Sequence, residues 1–243
     1  MLPTDEQAVK VLAYPTCDRR SYLRVLRDLE SIGVEMLIPY GNADLDGIKV
    51  LGKGCVGIVL KGLLKGETVA LKVLRADANR ASLMDEGCLL SLANGCRVGP
   101  KLIATTESVL ALEYIDGKYL VKWLAESRTA TEVCSVLKEL LTQARCLDEI
   151  GLDHGELSDA KKHILVDSRG KPCILDFETA SRNRRQRNLV SIVGYLFFKG
   201  SVSSLTEQYL SWNRGTLMGL LKDYKNSPTE KKYEEILVQL GLP

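Results

Sequence analysis

Long apolar runs are scarce in this sequence. The longest, Leu189 to Phe198, falls far short of the roughly 20 residues that span a bilayer. The opening Met-Leu-Pro-Thr-Asp-Glu lacks the basic start and apolar stretch of a secretory signal. Both absences predict a cytoplasmic protein with no membrane association. An excess of one charge is missing too. Lys and Arg number 33 against 31 Asp and Glu, a formal net +2, so nothing global argues for nucleic-acid binding. Seven cysteines (Cys17, Cys55, Cys88, Cys96, Cys134, Cys146, Cys173) share no repeated spacing and make no Cys-x-x-Cys pair. That argues against a zinc knuckle and for reduced thiols, several of which sit inside apolar runs as small core residues. Internal repeats and low-complexity linkers are absent. What is there is 243 residues at 45% hydrophobic, enough to fill one large domain or a two-lobed unit.

Residues 1–45 read as a helical preface. Thr4 and Gln7 fit a capping box, and Tyr22, Leu23, Val25, Leu26, Leu29 and Ile32 recur at helical spacing before Gly33. A strand follows at Val34 to Tyr40; two helices and a strand also fit a fragment of a winged helix. From Ile48 to Arg75 the pattern is strand, glycine loop, strand, turn, strand. Ser82 to Asn94 reads as a helix closed by Asn94-Gly95, with further strands at Lys101 to Thr105 and Val109 to Glu113. Thr129 and Glu132 open a long helix whose inner face runs from Val133 to Leu147 and stops before Gly151. Two short strands, His163 to Val166 and Pro172 to Leu175, flank the turn Asp167-Ser168-Arg169-Gly170, and helices fill the rest.

The chemistry begins at Leu51-Gly52-Lys53-Gly54-Cys55-Val56-Gly57-Ile58-Val59. Glycines so spaced permit a tight turn whose N–H groups approach phosphate oxygens. Alone, Gly-x-Gly-x-x-Gly also fits dinucleotide binding, but that fingerprint leads into a helix. Here the loop runs into a second strand, and no Gly-Lys-Ser/Thr ends it, so it is a hairpin lid and not a Walker loop. In Val69-Ala70-Leu71-Lys72-Val73-Leu74, Lys72 sits inside an apolar strand and needs an anion or water for its ammonium. Glu86, among Leu83, Leu89, Leu90 and Leu92, is the obvious partner, since a buried carboxylate needs one.

These pieces, in this order, resemble the amino-terminal lobe of protein kinases. The resemblance runs from about Leu51 to Ser181. It implies an α+β, two-lobed protein-kinase-like fold: a small β-rich lobe over 46–116 and a compact, mostly helical lobe over 117–243. By that resemblance Lys72 meets nucleotide phosphates, Glu86 orients it, and Leu112-Glu113-Tyr114-Ile115-Asp116-Gly117 is the hinge. The backbones of Glu113 and Ile115 would contact adenine beside Leu112, and Leu51, Val59, Ala70 and Leu165 would sandwich the base.

The second half departs from the pattern. His154-Gly155 resembles the His-Gly start of Rio, aminoglycoside and related atypical kinases, with Glu156 where the catalytic Asp belongs. Its longer side chain moves the carboxylate, and errors of about 1 Å can lower rates roughly 100-fold. The metal-binding Asn is replaced by Lys161 or, allowing a two-residue insertion, by His163. Magnesium prefers oxygen whereas manganese tolerates imidazole better; Asp159 is a chemically better spare ligand. Ile174-Leu175-Asp176-Phe177-Glu178 resembles Asp-Phe-Gly, which makes Asp176 a metal ligand. His-Gly-Glu-Leu-Ser with Asp-Phe-Glu-Thr-Ala-Ser resembles small predicted archaeal Ser/Thr kinases, relatives of Rio kinases and of the KEOPS-complex kinase.

The implied activity is transfer of the ATP γ-phosphate, with Mg2+ or Mn2+, to protein Ser/Thr or to the chain itself. Glu156, Lys72 and Asp176 would be its catalytic groups. The alternatives are an ATP-binding scaffold or sensor linked to RNA or translation, and a small-molecule kinase or ATPase. Arg182, Arg184, Arg185 and Arg187 follow the Asp-Phe pair. They read as a solvated face or as a recruiting patch for RNA or another acidic partner.

Overall fold

The computed structural model describes residues 5–242, so the expected Thr4 cap lies outside the described residues. The fold is α+β, and every strand pairing among the described residues is antiparallel. The chain divides into two compact units. One comprises residues up to Ser91 with Pro100–Ile115; the other comprises Leu92–Gly99 and residues from Asp116 on.

The first unit opens with α1 (Asp5–Leu12) and α2 (Arg19–Ile32). Asp18 caps α2 by accepting from Ser21 N, and Gly33 ends it at φ 82°, a left-handed turn that glycine makes without a Cβ clash. Six strands follow: β1 (Val34–Ile38), β2 (Ala43–Leu45), β3 (Ile48–Val50), β4 (Gly52–Lys53), β5 (Gly57–Leu64) and β6 (Glu67–Leu74). After α3 (Met84–Gly95) come β7 (Leu102–Thr105) and β8 (Val109–Glu113). The main sheet runs β1-β5-β6-β8-β7, with β4 paired to β5; β2 and β3 form a separate hairpin. The preface therefore contributes an edge strand, β1, to this sheet.

Period-two alternation decides what each sheet face carries. Ile58, Leu60, Val69, Leu71, Val73, Val109 and Ala111 point to one face. There they bury against Val11 and Leu12 of α1 and Val25 and Leu29 of α2. Asp28 Oδ2 fastens α2 to the β7–β8 turn, accepting from Ser108 N at 2.9 Å and Ser108 Oγ at 2.5 Å. The opposite face carries Val59, Ala70, Lys72, Leu110 and Leu112, aligned by the registers Val59↔Lys72, Ala70↔Leu112 and Lys72↔Leu110. A smaller cluster of Val56, Leu74, Leu83 and Leu110 roots the start of α3 there. One face of the sheet is thus structural, which leaves Lys72 on the other.

The second unit holds β9 (Gly117–Tyr119), α4 (Leu120–Leu124), α5 (Ala130–Glu149), a 3-10 turn at Leu157–Lys162, β10 (Ile164–Asp167) and β11 (Pro172–Ile174). Helices α6 (Asn188–Phe198), α7 (Gly200–Thr206), α8 (Arg214–Asn226) and α9 (Glu230–Gln239) complete it. Both halves of the Thr129–Glu132 capping box form, and Val133, Val136, Leu137, Leu140, Leu141, Ala144 and Leu147 are buried as their spacing requires. Among the described residues no single helix is long and apolar enough to cross a membrane.

The end of α3 differs from expectation. Gly95 stays helical, and the left-handed turn falls on Arg97, at φ 62°. Asn94 Nδ2 reaches forward to Val98 O at 3.0 Å, so the side chain closes the turn that a glycine backbone was expected to close.

Candidate active site

In the first unit the glycine loop is a hairpin, β4–β5, closed by Leu51 N to Val59 O (2.9 Å) and Gly54 N to Gly57 O (2.8 Å). None of Gly52, Gly54 and Gly57 has positive φ. What requires glycine is proximity. A Cβ on Gly57 would sit 3.0 Å from Cγ and Cε of Lys72, whereas one on Gly52 would meet nothing nearer than Val59 at 3.9 Å. Arg75 anchors the tip, donating from Nη1 to Gly54 O and from its backbone N to Val56 O, each at 2.8 Å. It also pairs with Asp77 at 2.7 Å and lies over the Tyr14 ring, as does Lys53. Sequence reasoning missed Arg75 and Tyr14; only the register of Arg75, next after β6, hinted at them.

Lys72 and Glu86 meet as expected. Lys72 Nζ donates to both carboxylate oxygens, at 2.8 and 2.9 Å, and the two residues are only 6% and 4% exposed. A pair this buried is held because the loss of either partner strands a charge, at about 3–5 kcal/mol. Leu51, Val59, Ala70, Leu112 and Ile115 are half-buried and Glu113 is exposed. Glu113 N donates to Lys101 O at 2.9 Å and its side chain accepts from Lys101 N at 3.2 Å, which fixes the end of β8.

In the second unit the His-Gly turn is built from far apart in sequence. His154 is fully buried, and its ring lies edge-on to Phe177 at 5.0 Å. Its Nε2 is 3.0 Å from Leu175 O; a carbonyl only accepts, so the ring proton is on Nε2. Burial pushes this imidazole down to about 4, which keeps it neutral at neutral pH. Asn188 Oδ1 accepts from His154 N at 2.8 Å, while its Nδ2 donates to Asp148 Oδ1 and Leu152 O. Gly155 has φ 92°, which strains any side chain, and a Cβ there would lie 2.6 Å from Arg184 Nη2 and 2.8 Å from Thr179 Oγ1, so glycine is favoured. Arg184 donates to Asp153 Oδ2 (2.9 Å) and Thr179 O (2.5 Å), and Thr179 Oγ1 donates to His154 O (2.9 Å). Asn188, Thr179 and the structural part of Arg184 were not foreseen. Their only sequence signal is polarity at positions whose partners lie about 25 to 35 residues away.

That frame aims Glu156, His163 and Asp176 together. One donor atom from each lies within 4.8 Å of the others, and Glu156 Oε2 is 3.8 Å from His163 Nε2. Asp176 is held at φ 67°, a left-handed conformation rare outside glycine and concentrated at functional sites. Asp159 stands outside this group; its Oδ1 is 3.9 Å from Lys199 Nζ on an exposed surface. Leu165 is half-buried on β10, opposite Tyr119 and Cys173. Of the arginines, Arg184 frames the turn and Arg185 donates to Lys225 O.

No protein-family profile matches the chain. It is 25% identical over 100 residues to "Uncharacterized protein MJ1211" of Methanocaldococcus jannaschii, a span covering 41% of this chain and 84% of that protein.

Proposed function

We propose that this chain is an atypical ATP-dependent kinase that transfers the γ-phosphate to protein Ser/Thr, its own included, on a protein-kinase-like fold. The observation that carries the reading is the buried Lys72–Glu86 pair with Gly57 pressed against the lysine stem. A lysine so desolvated and so aligned under a glycine hairpin suits phosphate oxygens. The apolar side chains of Leu51, Val59, Ala70 and Leu112 suit a flat base. In the reaction the bond from the γ-phosphorus to its bridging oxygen breaks as the substrate hydroxyl oxygen bonds to phosphorus, and the hydroxyl proton departs to a carboxylate or water. Lys72 offsets charge on the transferred group, and Glu86 keeps the ammonium in place. In the second unit, Asp176 and His163 would be among the donors to the divalent cation, and the imidazole nitrogen fits Mn2+ better than Mg2+. When bound, such an ion neutralises phosphate charge. Arg184 and Arg185 already bond internal carbonyls, so recruitment of RNA through this segment has less support.

A second reading, an ATP-binding sensor, draws on Glu156, whose carboxylate lies beside His163 where a catalytic Asp would be expected. Turnover of γ-labelled ATP with Mg2+ or Mn2+ separates the two. We expect labelled Ser/Thr in the wild type, with loss of about 100-fold or more in Lys72→Ala and Asp176→Ala. Metal-dependent nucleotide binding with no transfer under any cation would sink the kinase and leave the sensor.

A further inference from the structure

Glu156 stands where the resemblance puts a proton acceptor, but its surroundings suit a different task. Its carboxylate, the His163 imidazole and the Asp176 carboxylate come from three segments: the start of the 3-10 turn, the residue before β10, and the residues after β11. They bring one donor atom each to within 4.8 Å of the others. Metal–ligand bonds of about 2.0–2.2 Å put neighbouring ligand atoms roughly 3 Å apart and opposite ones roughly 4 Å apart, so the spacing suits one ion after a small contraction.

A second observation lies against the cluster. His154 is fully buried, its Nδ1 has no partner, and its ring is edge-on to His163 at 5.8 Å. The donor of its Nε2–H is committed to Leu175 O, the residue leading into Asp176. His163 Nδ1 is likewise buried and unpartnered, while its Nε2 faces Glu156. Two packed imidazoles at the edge of the cluster thus each keep one buried ring nitrogen without a protein partner. The turn beside them is hydrogen-bonded in place: Gly155 takes a left-handed φ of 92°, and Asn188 Oδ1 accepts from His154 N.

We infer that Glu156, His163 and Asp176 form a one-histidine, two-carboxylate site for a borderline divalent cation of the Mn2+ type, with Glu156 a metal ligand and not the general base. Mg2+ favours an all-oxygen octahedron and keeps its waters, so an imidazole donor handicaps it; Mn2+ accepts nitrogen with less penalty. Three protein ligands leave coordination positions open for water or phosphate oxygens. The site stands on the second unit alone; only its use in phosphoryl transfer rests on the kinase reading above.

The test is a titration of the nucleotide-free full chain with Mn2+, free ion being read by electron paramagnetic resonance. We expect one tight Mn2+ per chain, displaced by Mg2+ only in large excess. Glu156→Gln and His163→Asn should each weaken binding about tenfold or more, and Asp159→Asn should leave it unchanged. In His163→Asn, Mg2+ should compete more effectively, and the nitrogen coupling in the pulsed spectrum of bound Mn2+ should vanish. That spectral loss reports ligation directly, and circular dichroism confirms folding of each variant. Absence of Mn2+ binding without nucleotide, or wild-type affinity in a folded Glu156→Gln, overturns the site. Binding of Mn2+ with no phosphoryl transfer would keep the site and sink the kinase reading, so the two fail separately.

Discussion

Gly57 shows how much one hydrogen atom in place of a methyl can decide. Its backbone lies so close to Lys72 that a Cβ would come within 3.0 Å of two side-chain carbons and 3.1 Å of Val73 O. Lys72 cannot yield freely, because its ammonium is held by Glu86. We therefore expect Gly57→Ala to displace the ammonium or lift the hairpin, lowering nucleotide affinity about tenfold, while Gly52→Ala leaves it unchanged. Fluorescence titration with an ATP analogue checks both; equal effects would undo the assignment. The Gly-x-Gly-x-x-Gly spacing was legible, but its reason was not. Sequence suggested backbone freedom, whereas the glycines here avoid left-handed φ and Gly57 serves packing. At Gly155 the two reasons coincide, with positive φ and a Cβ that would crowd Arg184 and Thr179.

Local chemistry made the elements legible and left their ties hidden. The α5 cap and buried stripe follow from Thr129, Glu132 and a period of 3.6, all within one segment. Nothing local announces that Arg145 on α5 grips Glu230 on α9 at 2.5 and 2.6 Å, binds Glu149, and stacks on Tyr233 at 4.6 Å. Arg145 holds the exposed Glu230 carboxyl below its ordinary 4.5, chiefly through these hydrogen bonds. A depressed carboxyl contributes stability above its unfolded pKa and loses it as pH falls through the folded value. Arg145→Met should therefore lower Tm by a few degrees at neutral pH, and the gap to wild type should narrow below about pH 4. Calorimetry across that range decides; a gap independent of pH would mean that stacking on Tyr233, and not charge, carries the contact.

At the scale of the whole molecule, the sequence placed Lys72, Glu86 and Asp176 by motif and strand order, and the first two do meet. It did not show α1 and α2 covering the sheet face opposite Lys72, because helical periodicity says which side is apolar but not what it covers. Nor did it group Glu156 with His163; a two-residue ambiguity in the loop left Lys161 and His163 both open, and after the 3-10 turn it is His163 that lies beside Glu156. The groups proposed for the nucleotide, Gly57, Lys72 and Glu86, all belong to the first unit, whereas those proposed for the cation, Glu156, His163 and Asp176, all belong to the second. Nucleotide recognition and metal binding should then be separable by mutation. Lys72→Ala is expected to weaken binding of a metal-free ATP analogue about tenfold, some 1.4 kcal/mol, and to leave Mn2+ affinity without nucleotide unchanged. Asp176→Ala should do the reverse, abolishing Mn2+ binding while metal-free nucleotide affinity stays within about twofold. The two titrations, run on both variants, form a cycle in which each ligand is measured without the other. Loss of Mn2+ binding in Lys72→Ala would show that the ammonium shapes the cation site, and the assignment of one task to each unit would fall.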